Sequence, residues 1–179
     1  ELLKALKDRA LAPAFHFECD SSEPLSRGLL ERVRRVNPEA MVLVADARGS
    51  ARWLTTLRAG GYEGAVFGGP WMGRRAFLAQ AGAAAEGVRL PWPLVTSAKS
   101  RAFSERFAQR FGRPPDYAAG HTYDAVCLLV AAIRRGGLDR TRIQDAVREL
   151  SPWPGVTGEI RWNTAGANSR PVGMGTVKE

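Results

Sequence analysis

The sequence is poor in cysteine and histidine, and this scarcity limits the chemistry that the chain can support. It contains 2 residues of each type among 179. Cys19 and Cys127 could form one disulfide or stay as free thiols, and both alternatives are open from the sequence. The conceivable metal pairs are His16 with Cys19 and His121 with Cys127, and neither has the spacing of a zinc site. We therefore predict no metal and no cofactor.

The sequence also lacks a long apolar run. Crossing a bilayer takes about 20 consecutive apolar residues, whereas the longest candidate, Ala125 to Ile133, is short and is followed by Arg134 and Arg135. We expect no membrane span. No signal peptide is recognisable, because Glu1 to Lys4 already resembles the interior of a helix. We accordingly expect the chain to begin partway through a protein.

Lysine is scarce although the formal net charge is +8. The lysines are only Lys4, Lys7, Lys99 and Lys178, and the other basic residues are arginines in every segment of the chain. A nucleic-acid-binding surface would cluster cations on one face and place aromatic residues among them. The even spread predicts a solvated basic surface and no nucleic-acid partner.

Catalytic motifs are missing as well. The sequence has no Gly-x-Ser-x-Gly elbow and no zinc-protease pattern. Gly68 to Arg75 has the glycine spacing of a phosphate-binding loop, but arginines occupy the lysine and serine/threonine positions, and Pro70 removes a backbone donor. An enzyme would need a base and a nucleophile to converge near Asp46. We predict that the chain is not an enzyme.

The first half alternates helical and extended segments. Met41 to Ala45 is a continuous apolar run, which is typical of a strand buried on both faces of a parallel sheet. Pro24 is placed in the first turn of a predicted helix. Alternation with short loops predicts an α/β fold with a doubly wound parallel sheet. The predicted helices cover residues 1–9, 24–36, 50–59 and 74–82, and the predicted strands cover 12–17, 41–45, 65–67 and 87–90.

The second half abandons this alternation. Three helices are predicted in succession over 98–111, 117–135 and 140–150, with Asp139 or Thr141 as the cap of the last one. Strand-like stretches follow at 156–162 and 171–177. We infer that the helices pack on something outside the first half, so that their apolar residues are exposed in the isolated chain and promote association. These residues are Phe103, Phe107, Leu128, Val130 and Ile133.

Two loops are the best candidates for a ligand site, because ligands of open α/β sheets bind beyond the carboxyl ends of the strands. The first contains Asp46, Ala47 and Arg48, and the second contains Pro70, Trp71 and Met72. Opposite charges beside an aromatic wall suit a small zwitterionic or aromatic solute. The alternative is that Asp46 caps the next helix and Arg48 points into water.

Two ordered motifs resemble a known family, the branched-chain amino-acid type of periplasmic solute-binding protein. The first contains Phe103, Phe107 and Phe111 at four-residue spacing, then Gly112-Arg113-Pro114-Pro115 and Tyr123-Asp124-Ala125. The second is the glycine-rich stretch from Gly155 to Gly166. The resemblance covers nearly the whole chain.

The resemblance implies the carboxyl-terminal half of a two-lobe, type I periplasmic-binding fold. It implies binding of a small solute in a cleft and delivery to an ABC-transporter permease, in the periplasm or outside the cell. A ligand-sensing or regulatory domain of the same fold is the alternative. The domains it implies are an incomplete second lobe over 1–90, a hinge connector over 91–97, helices over 98–153 that pack on a missing first lobe, and return strands over 154–179.

The resemblance also bears on the ligand. Family members carry an aromatic residue after the second strand of this lobe and an acid after the third. Here those positions fall near Asp46 and near Pro70 and Trp71, so the chemical types look exchanged. This implies an amino acid, an amide or an aromatic acid rather than the usual branched-chain specificity. Tyr117 and His121 would approach the cleft from the other lobe.

Overall fold

The computed structural model describes residues 2–178 and has a mixed α/β architecture. Two short 3₁₀ turns, Pro70–Gly73 and Gly82–Ala85, supplement the regular elements. The helices are α1 Leu2–Lys7, α2 Arg27–Val36, α3 Ala47–Ala59, α4 Arg75–Ala81, α5 Ala98–Phe111, α6 Tyr117–Gly136 and α7 Arg140–Glu149. The strands are β1 Ala40–Leu43, β2 Ala65–Gly68, β3 Arg89–Trp92, β4 Trp153–Gly155, β5 Gly158–Ile160 and β6 Gly173–Thr176.

The main sheet has the order β1-β2-β3-β6. β1 and β2 are parallel, with Met41 opposite Val66 and Leu43 opposite Gly68. β2 and β3 are also parallel. A separate antiparallel hairpin is formed by β4 and β5. The predicted α/β fold with a parallel sheet is therefore confirmed.

The chain divides into two compact units. Unit 1 contains Glu1–Met72, Ala76–Leu90 and Thr176–Glu179, and unit 2 contains Gly73–Arg75 and Pro91–Gly175. The core of unit 1 is formed by side chains of α2, α3, α4 and the sheet, and Leu54, Val66 and Phe77 are completely buried in it. The assignment of 1–90, 91–97, 98–153 and 154–179 to lobes and a hinge stays a prediction.

Polar side chains at the helix starts explain where the helices begin. Asp46, Asp116 and Asp139 each accept a hydrogen bond from the backbone three residues later. Such an N-cap satisfies one of the free amides of the first turn. Asp139 was therefore the correct choice over Thr141 for α7. For α2 the cap is Ser26, so the helix begins at Arg27 and not with Pro24 in its first turn.

Unit 2 is built around the three consecutive helices that the sequence predicted. An aromatic cluster joins α5 to α6, with Phe103 5.0 Å from Tyr123 between ring centroids. Phe103 and Leu128 are buried, at 9% and 6% exposure, so the prediction that they would be exposed is wrong. They pack inside the helical layer. Val130 is exposed as predicted, while Phe107 and Ile133 are half-buried. The other large exposed apolar side chains of α6 are Tyr123, Val126 and Leu129.

The extended segments were predicted less well. Residues 12–17 form no strand. They line a groove of about 630 Å³ together with β1 and α1. The rings of Phe15 and Phe17 stack on each other, with 5.9 Å between their centroids. In the tail, the stretches at 156–162 and 171–177 are replaced by the shorter strands β5 and β6 and by β4 at Trp153–Gly155.

No helix among residues 2–178 has the length and apolar character needed to span a membrane. Cys19 and Cys127 are both free thiols. Burial, and secondarily the neighbouring Asp20 carboxylate, raises the pKa of Cys19. The thiol is therefore less readily ionised than an ordinary cysteine, which makes it a weaker nucleophile at neutral pH.

Candidate functional site

In unit 1, the loop after β1 is organised by the start of α3. Asp46 is the N-cap of that helix, and its Oδ1 accepts a hydrogen bond from Gly49 N at 2.6 Å. Ala47 is half-buried and packs against the core, while Arg48 is exposed. Asp46 therefore has the capping role that was one of its two alternatives. Its second carboxylate oxygen and the Arg48 guanidinium are the groups that this loop can offer to a solute.

The loop after β2 presents an aromatic surface. Because β1 and β2 are parallel and adjacent, this loop and the Asp46 loop leave the same edge of the sheet. Trp71 is 48% exposed, and its indole lies so close to Gly69 that a β-carbon there would be 2.7 Å from Nε1. Pro70 is half-buried beside it. The turn thus offers a broad apolar face to solvent.

Met72 does not face the same way as Trp71. Its side chain is completely buried in the core of unit 1, and a β-carbon at Gly68 would collide with its sulfur. The prediction that Met72 contacts a solute is corrected: its side chain packs beneath the loop and is not available at the surface. Successive positions of a 3₁₀ turn point in different directions, so adjacent residues can serve the core and the surface.

In unit 2, four polar or aromatic side chains lie close together at the start of α6. Tyr117 and His121 were predicted as site residues, whereas Arg74 and Asp116 were not. Arg74 Nε lies 2.7 Å from Asp116 Oδ2, and the guanidinium lies over the Tyr117 ring at 5.9 Å. The rings of Tyr117 and His121 meet edge to face at 6.1 Å. Asp116 also accepts a hydrogen bond from Ala119 N. Tyr117 is thereby held between a cation and an imidazole, and it is only 9% exposed.

The environment of His121 favours the neutral ring. Burial lowers the pKa of His121 and the Arg170 charge lowers it further, whereas the Asp124 carboxylate acts in the opposite direction. A neutral imidazole carries one donor and one acceptor nitrogen. At neutral pH this side chain can therefore hydrogen-bond to a neutral or anionic solute without adding charge.

Sequence reasoning missed Arg74 and Asp116 for different reasons. The helix-capping pattern could have identified Asp116, because it directly precedes an apolar helical run. Arg74 was considered only as a residue of a phosphate loop. Its pairing with Asp116 joins positions far apart in the chain, and no local pattern reports such a contact.

Taken separately, each of the two units offers groups that can bind a small solute. The loops of unit 1 supply an indole face, a guanidinium and a carboxylate, and the start of α6 supplies an imidazole beside a phenol ring. Among residues 2–178, no group of three or more His, Cys, Asp and Glu side chains is arranged to hold a metal ion. Aromatic faces with a few charged groups are typical of sites for small organic solutes.

Comparisons with known proteins agree with this chemistry. A family model described as periplasmic binding protein matches residues 26–179. Among solved structures, the chain is similar to a leucine binding protein from Thermotoga maritima MSB8, with 23% identity, a TM-score of 0.78, and coverage of 90% of this chain and 46% of that one. A comparison with curated proteins gave no match.

Two further structures differ in what they are described as binding or transporting. A putative branched-chain amino acid ABC transporter from Rhodospirillum rubrum has 27% identity and a TM-score of 0.78, with coverage of 99% of this chain and 53% of that one. An ABC-transporter solute binding protein from R. palustris in complex with benzoate has 17% identity and a TM-score of 0.84, with coverage of 98% and 50%. The chain spans about half the length of these proteins.

Proposed function

The chain belongs to the periplasmic binding protein family, and on that premise we propose that it forms part of a receptor that binds a small solute outside the cytoplasm. The family match confirms the resemblance inferred from the motifs, and the structural likenesses confirm the type I periplasmic-binding fold. The similar proteins are described as binding proteins or as parts of ABC transporters. Delivery of the solute to an ABC-transporter permease is the corresponding role for the whole protein.

The proposed solute is a small molecule with an apolar or aromatic body and a carboxylate or amide group. The exposed indole of Trp71 supports this class, because a broad aromatic face can stack on a planar or branched solute. Arg48 is an exposed cation near the same sheet edge and suits an acidic group. The Asp46 carboxylate uses Oδ1 at the helix cap, so its second oxygen is the one left for a polar group of the solute.

The observation that carries the proposal is the coincidence of the family match with this exposed aromatic face. Residues 26–179 match the family, and the matched region includes the two loops that follow β1 and β2. The indole is 48% exposed and therefore offers apolar surface that a solute can cover. A solute that stacks on Trp71 would remove this surface from water.

A thermal-shift screen of the intact protein tests the function. The panel contains amino acids, amides, aromatic acids and short peptides, with L-leucine and benzoate included. A solute at a hundredfold excess over its dissociation constant stabilises the folded state by about 2.7 kcal/mol. At about 2–4 °C per kcal/mol for a domain of this size, the melting temperature should rise by roughly 5–10 °C. Absence of any rise across the panel would contradict the proposal.

A matched pair of variants tests the site. Trp71→Ala should weaken binding of the best solute about tenfold, since a stacking aromatic residue contributes 1.4 kcal/mol or more. Trp71→Phe should restore part of the affinity. The control is Leu138→Ala, which truncates a side chain that is 92% exposed in the connection between α6 and α7. Equal affinities for Trp71→Ala and Leu138→Ala would remove Trp71 from the site.

A further inference from the structure

A buried carboxylate on α6 holds the turn between β4 and β5. Asp124 is 2% exposed and accepts hydrogen bonds from Val156 N at 2.7 Å, Thr157 N at 2.9 Å and Thr157 Oγ1 at 2.7 Å. Burial of a carboxylate is unfavourable unless donors of this kind surround it. The three hydrogen bonds therefore fix the position of α6 relative to this turn.

The same turn is tied to the segment that precedes α5. The Thr157 carbonyl accepts hydrogen bonds from Val95 N at 3.1 Å and from Arg170 Nη1. Arg170 Nη2 also donates to the carbonyl of Pro93. Thr157 thus faces α6 through its amide and hydroxyl, and faces residues 93–95 through its carbonyl. We call Asp124, Thr157 and Arg170 the Asp124 cluster.

Glycines give the cluster its close packing. A β-carbon at Gly155 would collide with the Asp124 carboxylate, and one at Gly120 would lie 3.0 Å from Thr157 Cγ2. Gly158 has φ +114°, a conformation that other residues rarely adopt, and a β-carbon there would lie 2.9 Å from Arg170 Nη1. Three neighbouring positions therefore admit no side chain without displacing a member of the cluster.

The cluster is adjacent to the proposed solute residues of unit 2. His121 precedes Asp124 by three residues on α6, and Tyr117 precedes His121 by four, so the three lie on neighbouring turns of one face. The charged groups that act on His121 are those of Arg170 and Asp124, and the Tyr117 ring lies edge-on to it. Asp124, the member of the cluster that lies on α6, thus shares one helix face with the two solute residues.

We propose that the Asp124 cluster is a positioning device that fixes the first turns of α6 to the segment at residues 93–95. Its members are positioning residues: they act on a solute through Tyr117 and His121. The solute part of this inference rests on the proposed function, whereas the mechanical part does not. A change on α6 is expected to reach Val95 through Thr157, although Asp124 itself has no hydrogen bond to Val95 among the described residues.

Amide hydrogen exchange of the chain tests the mechanical link. Asp124→Asn removes the charge with little change in shape, and it should speed exchange of the Val95 amide at least tenfold, as should Arg170→Gln. Thr157→Val should have the same effect, while Thr157→Ser, which keeps the hydroxyl, should resemble the wild type. Unchanged exchange at Val95 in both Asp124→Asn and Arg170→Gln would overturn the proposal.

A titration of His121 by NMR gives a readout that loss of packing alone would not produce. In a His16→Gln background His121 is the one histidine of the sequence. The pKa of His121 should rise in Arg170→Gln and fall in Asp124→Asn, in line with the opposite charges removed. Arg161→Gln, in the same tail segment but paired with Glu159 on the surface, is the control. Shifts in the same direction for both cluster variants would contradict the arrangement.

Solute binding separates this inference from the proposed function. In the intact protein, with benzoate and L-leucine as probes, Arg170→Gln should weaken binding about tenfold and Arg161→Gln should not. If the wild type binds a probe and Arg170→Gln binds it equally well, the positioning role is wrong while the function stands. If the wild type binds neither probe nor any other solute, the function fails, and the exchange experiment still decides the mechanical link.

Discussion

Asp46 has a structural role that can be separated from any contact with a solute. It caps α3, the helix that contributes Leu54 and Leu57 to the core of unit 1. Asp46→Ala removes the 2.6 Å hydrogen bond to Gly49 N and the favourable charge at the helix start. Loss of such a cap costs about 1 kcal/mol. With a urea slope of roughly 2 kcal/mol/M, the unfolding midpoint should fall by about 0.5 M.

Asp46→Asn distinguishes the cap from the charge. Asparagine caps helices about as well as aspartate, so the urea midpoint should stay close to that of the wild type. If the carboxylate also contacts the solute, Asp46→Asn should weaken binding although the protein is as stable as before. Asp139→Ala, which removes the cap of α7 in unit 2, should lower stability without changing solute affinity. Circular dichroism measures these urea unfolding curves. If Asp46→Ala unfolds at the same urea concentration as the wild type, this reasoning is refuted.

Three other outcomes follow from burial and exposure. Met72→Ala should destabilise unit 1 by about 2–5 kcal/mol, because the side chain is fully buried, and urea unfolding measures this. The folded-state pKa of His121 lies below its unfolded value, so its contribution to stability is complete above the unfolded pKa and is lost as pH falls through the folded one. His121→Gln should flatten that acid slope in unfolding experiments between about pH 4 and 7. The chain should self-associate through the exposed α6 side chains, and Val126→Lys with Leu129→Lys should shift sedimentation toward the monomer.

The elements with strong periodicity were predictable from the sequence. Met41 to Ala45 was predicted as a strand, and β1 occupies Ala40–Leu43. The predicted burial on both faces is wrong, because Met41 and Leu43 are buried whereas Val42 on the opposite face is 53% exposed. Residues 98–111 were predicted as a helix, and α5 has the same bounds. In each case the hydrophobic pattern continues over several residues, and the element is stabilised by local contacts or by packing against a large core. The boundaries of these elements were accordingly close.

Elements that depend on distant partners were not predictable in the same way. A strand is stabilised by hydrogen bonds to a neighbour, and residues 12–17 lie across a groove from β1 without joining its ladder. Phe103 and Leu128 were each placed on the apolar face of a predicted helix, Phe103 in α5 and Leu128 in α6. Periodicity identifies an apolar face but does not say which neighbour covers it, and here α5 and α6 partly cover each other.

In the candidate site, too, the residues in local patterns were predictable and those that depend on distant partners were not. The sequence identified the two loops beyond β1 and β2 because strand ends in a parallel sheet are the usual binding edge. It did not identify Arg74, whose partner Asp116 is far away in the chain. It also did not separate Trp71 from Met72, because both are large and apolar and the direction of each depends on a 3₁₀ turn whose position was unknown.

The opposite orientations of Trp71 and Met72 have a physical consequence for the site. The turn at Pro70–Gly73 is closed by a hydrogen bond from Met72 N to Gly69 O at 3.1 Å. The Met72 side chain anchors this turn in the core, where Gly68 leaves room for the sulfur. The same anchor keeps Trp71 against Gly69 with its outer face in water. The exposure of the indole is therefore determined by packing inside unit 1. A core substitution such as Met72→Ala should lower solute affinity as well as stability. Phe77→Ala, which is equally buried but lies outside the turn, should lower stability alone.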